Sequence, residues 1–566
     1  MRVPLRASAA VLAVTAAGAA LTAPAYAAER RETTVTTNSS PVKGVVESVV
    51  RVKVPLPKAV GPHPAACDWL SYLRFRDVHG PASSAKADRI LVAQPGILEG
   101  AGAFDSVARN TITAAAAKGK HLEFWALDRR SNCLDDTTGV LAGLAAKDPH
   151  VAVDYYYRKK RVDGRVFAGY QSNDQVKWLQ NVGLEQTVRD EYDLLRAELP
   201  DQKLRKRKVL CGGHSLGGTL TGFFAEWDFD GNPATTADAG YNQCAGYFAL
   251  DTRVATSLMG MGDFPKEMVP LLQFGAGAVK AGLESGVVPR TVSGPALINA
   301  ETMNLLAIAG LAARVAPSGR SDLATYIPSS FNTDTTYRLL FSKDFATFIA
   351  GTPTIADFRF TNAAALGALL DDDSQPLAFL QASVGFFSGG PVVDKDFPVP
   401  NEMILSGNGA WKSLLGTERK AIPATPDGPQ YGWQNYDAVK NVPKAKDGQP
   451  FTTPAKEVTD IAELARSLSE HPLDFTEHYF PTRIVTDIAL AGAPGVADGA
   501  VHKNGITANP VINLEAGDGL GTRHPEPGDV IAPGYQHLDV LTAAPRQNGG
   551  RPEPISTNLA AFATKP

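Results

Sequence analysis

The heptapeptide Gly212-Gly-His-Ser-Leu-Gly-Gly218 joins two segments of different type. Residues 208–211 form a short apolar run typical of a buried strand, and residues 219–227 have the composition of a helix. Within the heptapeptide, residues 213–217 have the spacing Gly-x-Ser-x-Gly, in which the glycines allow a sharp turn from a strand into a helix. Such a turn exposes the serine hydroxyl, and we therefore identify Ser215 as the candidate nucleophile.

The N-terminus has the pattern of a secretory signal peptide. Arg2 and Arg6 precede an apolar run over residues 9–21, and Ala25-Tyr-Ala27 matches an A-x-A cleavage site. The run is short and rich in alanine, which favours a cleaved signal over the alternative of a retained membrane anchor. We therefore expect cleavage near Ala27 and secretion of the remaining chain.

Composition limits the classes of partner. The 566 residues include 55 Lys and Arg and 59 Asp and Glu, and the densest basic run, at residues 205–208, directly precedes the nucleophile strand. A solvated loop explains that run better than a binding patch, so we expect no nucleic-acid partner.

Four cysteines in an apparently secreted chain favour two disulfides, although four buried thiols remain the alternative. Three pairings are possible. We expect Cys67 to pair with Cys133, and Cys211 to pair with Cys244. The reason for the second pair is that both cysteines enter predicted strands that flank the nucleophile helix and would be neighbours.

Strand and helix patterns alternate on both sides of the nucleophile turn. Strand-like runs at 90–93, 122–127 and 245–250 are separated by helical patterns such as that over 184–199. This alternation predicts an α/β fold with a mostly parallel sheet and helices on both faces.

A change of pattern divides the chain. Ala-, Leu- and Phe-rich helical segments occupy residues 256–480, and strand patterns return at residues 509–514 and 530–535. We therefore predict a core over residues 28–255 and 481–566, interrupted by a large, mainly helical cap at 256–480.

On these residues the chain resembles the α/β-hydrolase superfamily, and within it the secreted lipases and esterases. The resemblance rests on Gly-His-Ser-Leu-Gly at 213–217, on Gln94-Pro-Gly96 where the family has its oxyanion loop, and on Gly534-Tyr-Gln-His537. It covers residues 85–255 and 508–562 and implies the α/β-hydrolase fold. Gln94-Pro-Gly96 departs from the His-Gly that is usual in this loop.

A serine nucleophile needs a base and a third group that orients the base. His537 follows the last predicted strand and fits the superfamily's order of serine, acid and histidine. Asp518 lies after the penultimate strand, which is the commonest superfamily position of the acid. Asp251 ends the strand after the nucleophile helix, where some lipases of the superfamily place it. We expect Asp518 to be the acid, with Asp251 as the close alternative and Glu515 third.

The oxyanion formed during acyl transfer needs two N–H donors. The resemblance implies the backbone N–H of Leu216, and because Pro95 has no N–H, we expect Ile97 to supply the second. No cofactor and no metal site are expected, since the acidic segments 228–232 and 371–373 are interpreted as a turn and a solvated helix end.

These features predict a secreted serine hydrolase that cleaves carboxylic esters through an acyl-enzyme. The apolar cap favours a small-molecule or lipid-like hydrophobic ester, with transient contact with lipid or other hydrophobic surfaces. The alternatives are a secreted peptidase of the same fold and a catalytically silent lipid-binding protein.

Overall fold

The computed structural model describes residues 29–36, 39–258, 269–294, 298–406, 414–520 and 525–565. The predicted signal peptide at residues 1–27 lies outside these ranges. The strands of the described residues are β1 (Arg30–Thr34), β2 (Val45–Lys53), β3 (Trp69–Asp77), β4 (Arg89–Gln94), β5 (Leu122–Asp128), β6 (Val209–His214), β7 (Gly246–Leu250), β8 (Arg359–Phe360), β9 (Gly385–Ser388), β10 (Val392–Asp394), β11 (Ala421–Pro423), β12 (Gln430–Asn435), β13 (Val511–Ala516) and β14 (Val530–Ala532).

Nine of these strands form one sheet in the order β1-β2-β3-β5-β4-β6-β7-β13-β14. The first four strands in that order pair antiparallel, and every pairing from β5 to β14 is parallel. Parallel neighbours need crossover connections, and helices supply them on both faces of the sheet. The mostly parallel sheet predicted from the alternating pattern is therefore present.

The α-helices of the described residues follow the same chain order. They are α1 (Asp105–Ala116), α2 (Thr138–Ala146), α3 (Pro149–Arg158), α4 (Leu184–Glu198), α5 (Gln202–Lys208), α6 (Leu216–Glu226), α7 (Val269–Ser285), α8 (Ala300–Val315), α9 (Leu323–Tyr326), α10 (Phe331–Phe341), α11 (Phe345–Ala350), α12 (Asn362–Leu370), α13 (Asn401–Leu405), α14 (Ile461–Ser469), α15 (Thr482–Ala489), α16 (Asp539–Thr542) and α17 (Pro554–Ala563). None of them combines the length and hydrophobicity needed to span a bilayer.

The central strands are apolar on both faces because helices cover both. In β4, Leu91 and Ala93 belong to the apolar cluster that includes residues of α1 and α17, whereas Ile90 and Val92 belong to the cluster that includes residues of α4 and α6. Successive side chains of a strand point to opposite faces, so a strand buried on both sides is apolar without interruption.

Between β7 and β13 the chain forms most of its remaining helices and two small sheets. One small sheet pairs β10 with β11, and the other has the order β8-β12-β9. Helix α8 packs on α14 in this region. The predicted helical segments are therefore accompanied by short strands, and the exact limits of a cap at residues 256–480 stay a prediction.

Two disulfides link the core. Cys67 is bonded to Cys133, and Cys211 is bonded to Cys244, which is the pairing expected from the sequence. The second bond joins β6 to the segment that enters β7, and these two strands are neighbours in the sheet.

The acidic triplet at residues 371–373 corrects an expectation. Asp371, Asp372 and Asp373 follow α12 and are buried, with at most 3% of their surface exposed. The prediction of a solvated helix end is wrong, because the chain folds back over the three aspartates, and the N–H groups of Val384 and Asp373 donate to the Asp371 carboxylate.

Candidate active site

Ser215 lies at the turn between β6 and α6, at the carboxyl end of the parallel sheet. Its φ of 53° and ψ of −119° are strained for a residue with a side chain. A Cβ atom on Gly217 would come within 2.1 Å of the carbonyl oxygen of Gln94, and one on Gly213 would come within 2.5 Å of it. The glycines therefore let the turn pack directly against the end of β4, as the Gly-x-Ser-x-Gly spacing predicted.

His537 lies in the loop before α16, and its partner is Asp251 at the end of β7. The Nδ1 atom of His537 lies 2.5 Å from Oδ2 of Asp251. The backbone N–H groups of Ala516 and Leu520 also donate to the Asp251 carboxylate, at 3.0 and 2.9 Å. Burial raises the pKa of Asp251, but the hydrogen bond and charge of His537, the N–H of Leu520 and the charge of His214 together outweigh it, so the net pKa is lowered and the carboxylate stays ionised.

Asp518, the expected acid, does not make this contact. Its backbone N–H donates to the carbonyl of Tyr535, and burial and the nearby Glu418 raise the pKa of its carboxyl group. The end of β13 and the loop after it instead supply N–H groups to Asp251, and a Cβ on Gly519 would come within 2.4 Å of Oδ2 of Asp251. The geometry therefore corrects the expectation in favour of the alternative, Asp251. Glu515, the third candidate, lies 3.2 Å from the Arg253 guanidinium.

His214, the residue before the serine, forms a second buried pair with Glu99. Its Nδ1 atom lies 2.6 Å from Oε1 of Glu99, and its Nε2 atom lies 3.0 Å from the carbonyl oxygen of His537. A carbonyl and an ionised carboxylate can only accept hydrogen bonds, so both ring nitrogens of His214 carry hydrogen. Burial alone would lower the pKa of His214, but the charge and hydrogen bond of Glu99, together with the charge of Asp251 and the carbonyl of His537, raise it above its ordinary value.

The two histidine rings are close, with centroids 4.3 Å apart. Burial lowers the pKa of His537 below its ordinary value, and the positive charge of His214 lowers it further, although Asp251 acts in the opposite direction. A histidine with a lowered pKa is neutral at neutral pH and can accept a proton. Among the described residues, no hydrogen bond joins the Ser215 hydroxyl to His537; in ligand-free enzymes this contact is often long.

The loop after β4 carries the expected second N–H donor. Neither Ile97 nor Leu216 has a hydrogen-bond acceptor for its backbone N–H within the described part of the chain. The N–H of Gly96 is already used, since it donates to Oε2 of Glu99 at 2.6 Å. Leu98, the next residue along, has a φ of 62°, which turns the backbone sharply at this point.

Arg129 holds the loop after β4 through hydrogen bonds to its backbone. Its guanidinium donates to the carbonyl oxygens of Pro95, Gly96 and Glu99, and its Nε atom lies 2.7 Å from Oε2 of Glu477. These charge-assisted bonds hold the loop backbone in one conformation.

Three supporting residues were missed by the sequence analysis. Glu99 lies 115 residues from His214, and Arg129 lies 34 residues from Pro95 and 348 from Glu477, in no recognisable motif. His214 lies inside the Gly-x-Ser-x-Gly motif itself, where its position is visible in the sequence. The buried acidic triplet at residues 371–373 also contacts the segment that carries His537. Nε2 of Gln536, the residue before His537, donates a hydrogen bond to Oδ2 of Asp372 at 2.9 Å.

No protein-family model matches the chain, and no curated protein matches its sequence. Similar solved structures include a peroxisomal alpha-beta-hydrolase from Saccharomyces cerevisiae (12% identity, TM-score 0.18, covering 44% of this chain and 51% of that one). A promiscuous CE15 esterase from a marine bacterial metagenome is also similar (12% identity, TM-score 0.19, covering 41% of this chain and 53% of that one). A third similar structure is a proline iminopeptidase from Mycobacterium smegmatis (10% identity, TM-score 0.24, covering 87% of this chain and 94% of that one). The chain thus spans about half the length of the yeast hydrolase and of the esterase.

The fold class follows from the chain's own topology. A mostly parallel sheet is covered by helices on both faces, and a Gly-x-Ser-x-Gly turn lies at the carboxyl end of a central strand. This is the α/β-hydrolase fold that the resemblance implied.

Proposed function

We propose that this chain is a serine hydrolase that cleaves carboxylic esters through an acyl-enzyme. The observation that carries the proposal is the hydrogen bond between His537 and Asp251 beside the strained turn at Ser215. The bond to Asp251 keeps hydrogen on Nδ1 of His537, which leaves Nε2 free to accept a proton.

In the first half of the reaction, Nε2 of His537 takes the proton of the Ser215 hydroxyl as the oxygen attacks the ester carbonyl. The N–H groups of Leu216 and Ile97 donate to the oxyanion that develops. The Asp251 carboxylate stabilises the imidazolium form of His537. The imidazolium then gives its proton to the leaving alcohol, and the acyl group stays on the serine.

In the second half, His537 takes a proton from a water molecule that attacks the acyl-enzyme. The tetrahedral intermediate uses the same two N–H donors, and its collapse returns the proton to Ser215 and releases the carboxylic acid. The buried site limits the access of other water molecules, since Ser215 is 5% exposed and His537 is 2% exposed.

The proposed substrate is a hydrophobic ester. An apolar cavity of about 70 Å³ lies among side chains of α8, α10 and α12. Its lining residue Met303 adjoins the loop after β4, because the Thr476 hydroxyl donates to the Met303 carbonyl and Thr476 forms a β-bridge with Glu99. An apolar cavity that adjoins the loop after β4 suits an acyl chain or an apolar alcohol, and contact with lipid surfaces belongs to the same proposal.

Secretion is also part of the proposal. The two disulfides suit an oxidising extracellular environment. Mass spectrometry of the protein recovered from culture medium should give an N-terminus near residue 28; an intact N-terminus on cell-bound protein would contradict secretion.

A fluorophosphonate probe tests the activity most directly. We expect one covalent label per chain on Ser215, and none on the Ser215→Ala variant. Hydrolysis of p-nitrophenyl butyrate should be lost in that variant while its circular dichroism spectrum is unchanged. Faster turnover of aminoacyl p-nitroanilides than of esters would assign a peptidase, and absence of labelling in the wild-type chain would indicate a catalytically silent binding protein.

A further inference from the structure

A second cluster of polar side chains includes residues of a segment that is hydrogen-bonded to the loop after β4. Asp135 follows the disulfide-bonded Cys133, and Asp474 and His478 lie on the segment that follows α14. Both aspartates adjoin a cavity of about 440 Å³, which is lined mainly by polar residues. The proposed reaction uses none of these three side chains.

The cluster leaves buried polar atoms without partners. The side chains of Asp135 and His478 are 5% and 4% exposed. Within the described residues, both carboxylate oxygens of Asp135 and the Nε2 atom of His478 lack a hydrogen-bond partner. Leaving such groups unpaired in a protein interior is costly, so the arrangement favours a missing positively charged partner.

The three side chains lie close enough together to share an ion. Nε2 of His478 lies 3.6 Å from Oδ2 of Asp474, and Nδ1 lies 3.6 Å from Oδ1 of Asp135. Both separations are too long for hydrogen bonds. One ligand atom from each residue lies within 4.8 Å of the others. Ligands about 2.1 Å from a tetrahedral ion are separated by about 3.4 Å, which is close to the distance between Nε2 of His478 and Oδ2 of Asp474; the Asp135 distance is measured from the other ring nitrogen.

Two neighbouring carboxylates of the same cavity accept hydrogen bonds, which distinguishes the cluster from them. The Asp136 carboxylate accepts hydrogen bonds from the Tyr155 hydroxyl and from the N–H of Thr138. Oδ1 of Asp128 accepts hydrogen bonds from Ala101 and Asn132.

No arginine or lysine of the described chain forms an ion pair with Asp135 or Asp474. Arg129, which lines the same cavity, is paired with Glu477 instead. Arg31, Arg51 and Arg165 also line the cavity, and none of them lies within ion-pair distance of Asp135 or Asp474.

We propose that Asp135, Asp474 and Nε2 of His478 bind a divalent transition metal ion of the zinc class. One imidazole and two carboxylates suit Zn²⁺ better than Ca²⁺ or Mg²⁺, which prefer oxygen ligands alone. The adjoining cavity provides an entry path and room for water in the remaining coordination position.

The ion would act by positioning the loop after β4. The segment that carries two of its ligands is hydrogen-bonded to that loop, with Gly100 donating to the Phe475 carbonyl and Glu477 donating to the Leu98 carbonyl. The third ligand is anchored through the Cys67–Cys133 disulfide. A metal bridge would therefore join two segments that are distant in sequence and stiffen the loop that carries Ile97.

Metal binding can be measured directly on the purified, tag-free full chain, whether or not it hydrolyses esters. After treatment with dipicolinic acid and gel filtration, the chain should take up one Zn²⁺ by elemental analysis, and Co²⁺ should give the visible absorption of a four-coordinate site. Saturation with Zn²⁺ should raise Tm by about 2 to 4 °C. No uptake by the wild-type chain, or tighter binding of Ca²⁺ than of Zn²⁺, would overturn the proposal.

The variants Asp135→Asn, Asp474→Asn and His478→Gln should each weaken Zn²⁺ binding by about 100-fold or more, whereas Asp136→Asn should bind it as the wild-type chain does. Zn²⁺ affinity is compared only among variants whose circular dichroism spectra match that of the wild type. If the variants fail to fold, the Zn²⁺ stoichiometry of the wild-type chain decides whether the site exists. Equal loss in Asp136→Asn would assign the binding to the general charge of the cavity and would refute the three-residue site.

Discussion

Nδ1 of His537 and Oδ2 of Asp251 lie 2.5 Å apart, and both side chains are buried. An acid in this position fixes the tautomer of the base, and its loss in a catalytic triad lowers turnover by about 10⁴-fold. We therefore expect Asp251→Asn to lower kcat for p-nitrophenyl butyrate by roughly 10³- to 10⁴-fold, with a small change in KM.

Asp518→Asn is the matched control for this prediction. Asp518 lies in the loop that supplies N–H groups to Asp251, so its replacement changes a nearby carboxyl group without removing the partner of His537. We expect kcat within about threefold of the wild-type value, a factor that corresponds to less than 1 kcal/mol. The reverse result, with Asp518→Asn inactive and Asp251→Asn active, would return the acid to the later loop.

The pH dependence of kcat/KM should follow the protonation of His537. The base must be neutral to accept the proton of Ser215, so activity is lost as the pH falls through the pKa of His537. Because burial and the charge of His214 lower this pKa, the acid limb of kcat/KM should lie below pH 6.5, the ordinary value for histidine.

The variant His214→Gln tests whether the charge of His214 lowers the pKa of His537. The variant removes the positive charge that lowers the pKa of His537 and leaves the Glu99 carboxylate uncompensated, and both changes raise that pKa. The acid limb should therefore move to higher pH. An unchanged or lower midpoint would show that His214 does not carry the charge inferred from its two hydrogen bonds.

Much of the fold was predictable because its signals are local. The turn at Ser215 is encoded by adjacent residues, and the strands near residues 90–93 and 245–250 are apolar because both of their faces are covered. The sequence does not distinguish Asp251 from Asp518 as the acid, since both follow parallel strands at the same edge of the sheet. Only the side-chain direction, set by the hydrogen bonds of Asp251 to Ala516 and Leu520, distinguishes them.

The supporting polar contacts were not predictable for a different reason. Glu99 and His214 are 115 residues apart, and no periodicity links them. Likewise, the acidic triplet at residues 371–373 has the composition of a solvated segment, and its burial depends on tertiary packing alone. Buried charged groups are uncommon enough that composition favours the exposed interpretation.

The Cys211–Cys244 disulfide should stabilise the core around the nucleophile strand. The two residues are 33 positions apart, and closing a loop of that length stabilises a folded protein by about 3 to 4 kcal/mol in the chain-entropy description. The double variant Cys211→Ala/Cys244→Ala should therefore have a lower Tm in calorimetry. Reducing agent should lower Tm of the wild-type chain further than that of the variant, and equal Tm values for the two oxidised chains would contradict a stabilising role.

Glu99 links the nucleophile turn to the loop that carries Ile97, and this gives the last prediction. One carboxylate oxygen binds Nδ1 of His214 and the other binds the N–H of Gly96, each at 2.6 Å. In Glu99→Gln the amide group must present its NH₂ to one of these two donors, so one hydrogen bond becomes a repulsive contact. The loop would then shift away from the position in which the N–H of Ile97 can stabilise the oxyanion.

We expect Glu99→Gln to lower kcat by roughly 10²-fold while KM changes little, because an oxyanion donor acts mainly in the transition state. Glu191→Gln is a suitable control. Burial raises the pKa of Glu191 to about 8, so this carboxyl is largely neutral at pH 7, and a glutamine can still accept the hydrogen bond from Gln94. Steady-state kinetics of the two variants should therefore differ, and equal losses would mean that Glu99 acts through general packing rather than through the loop.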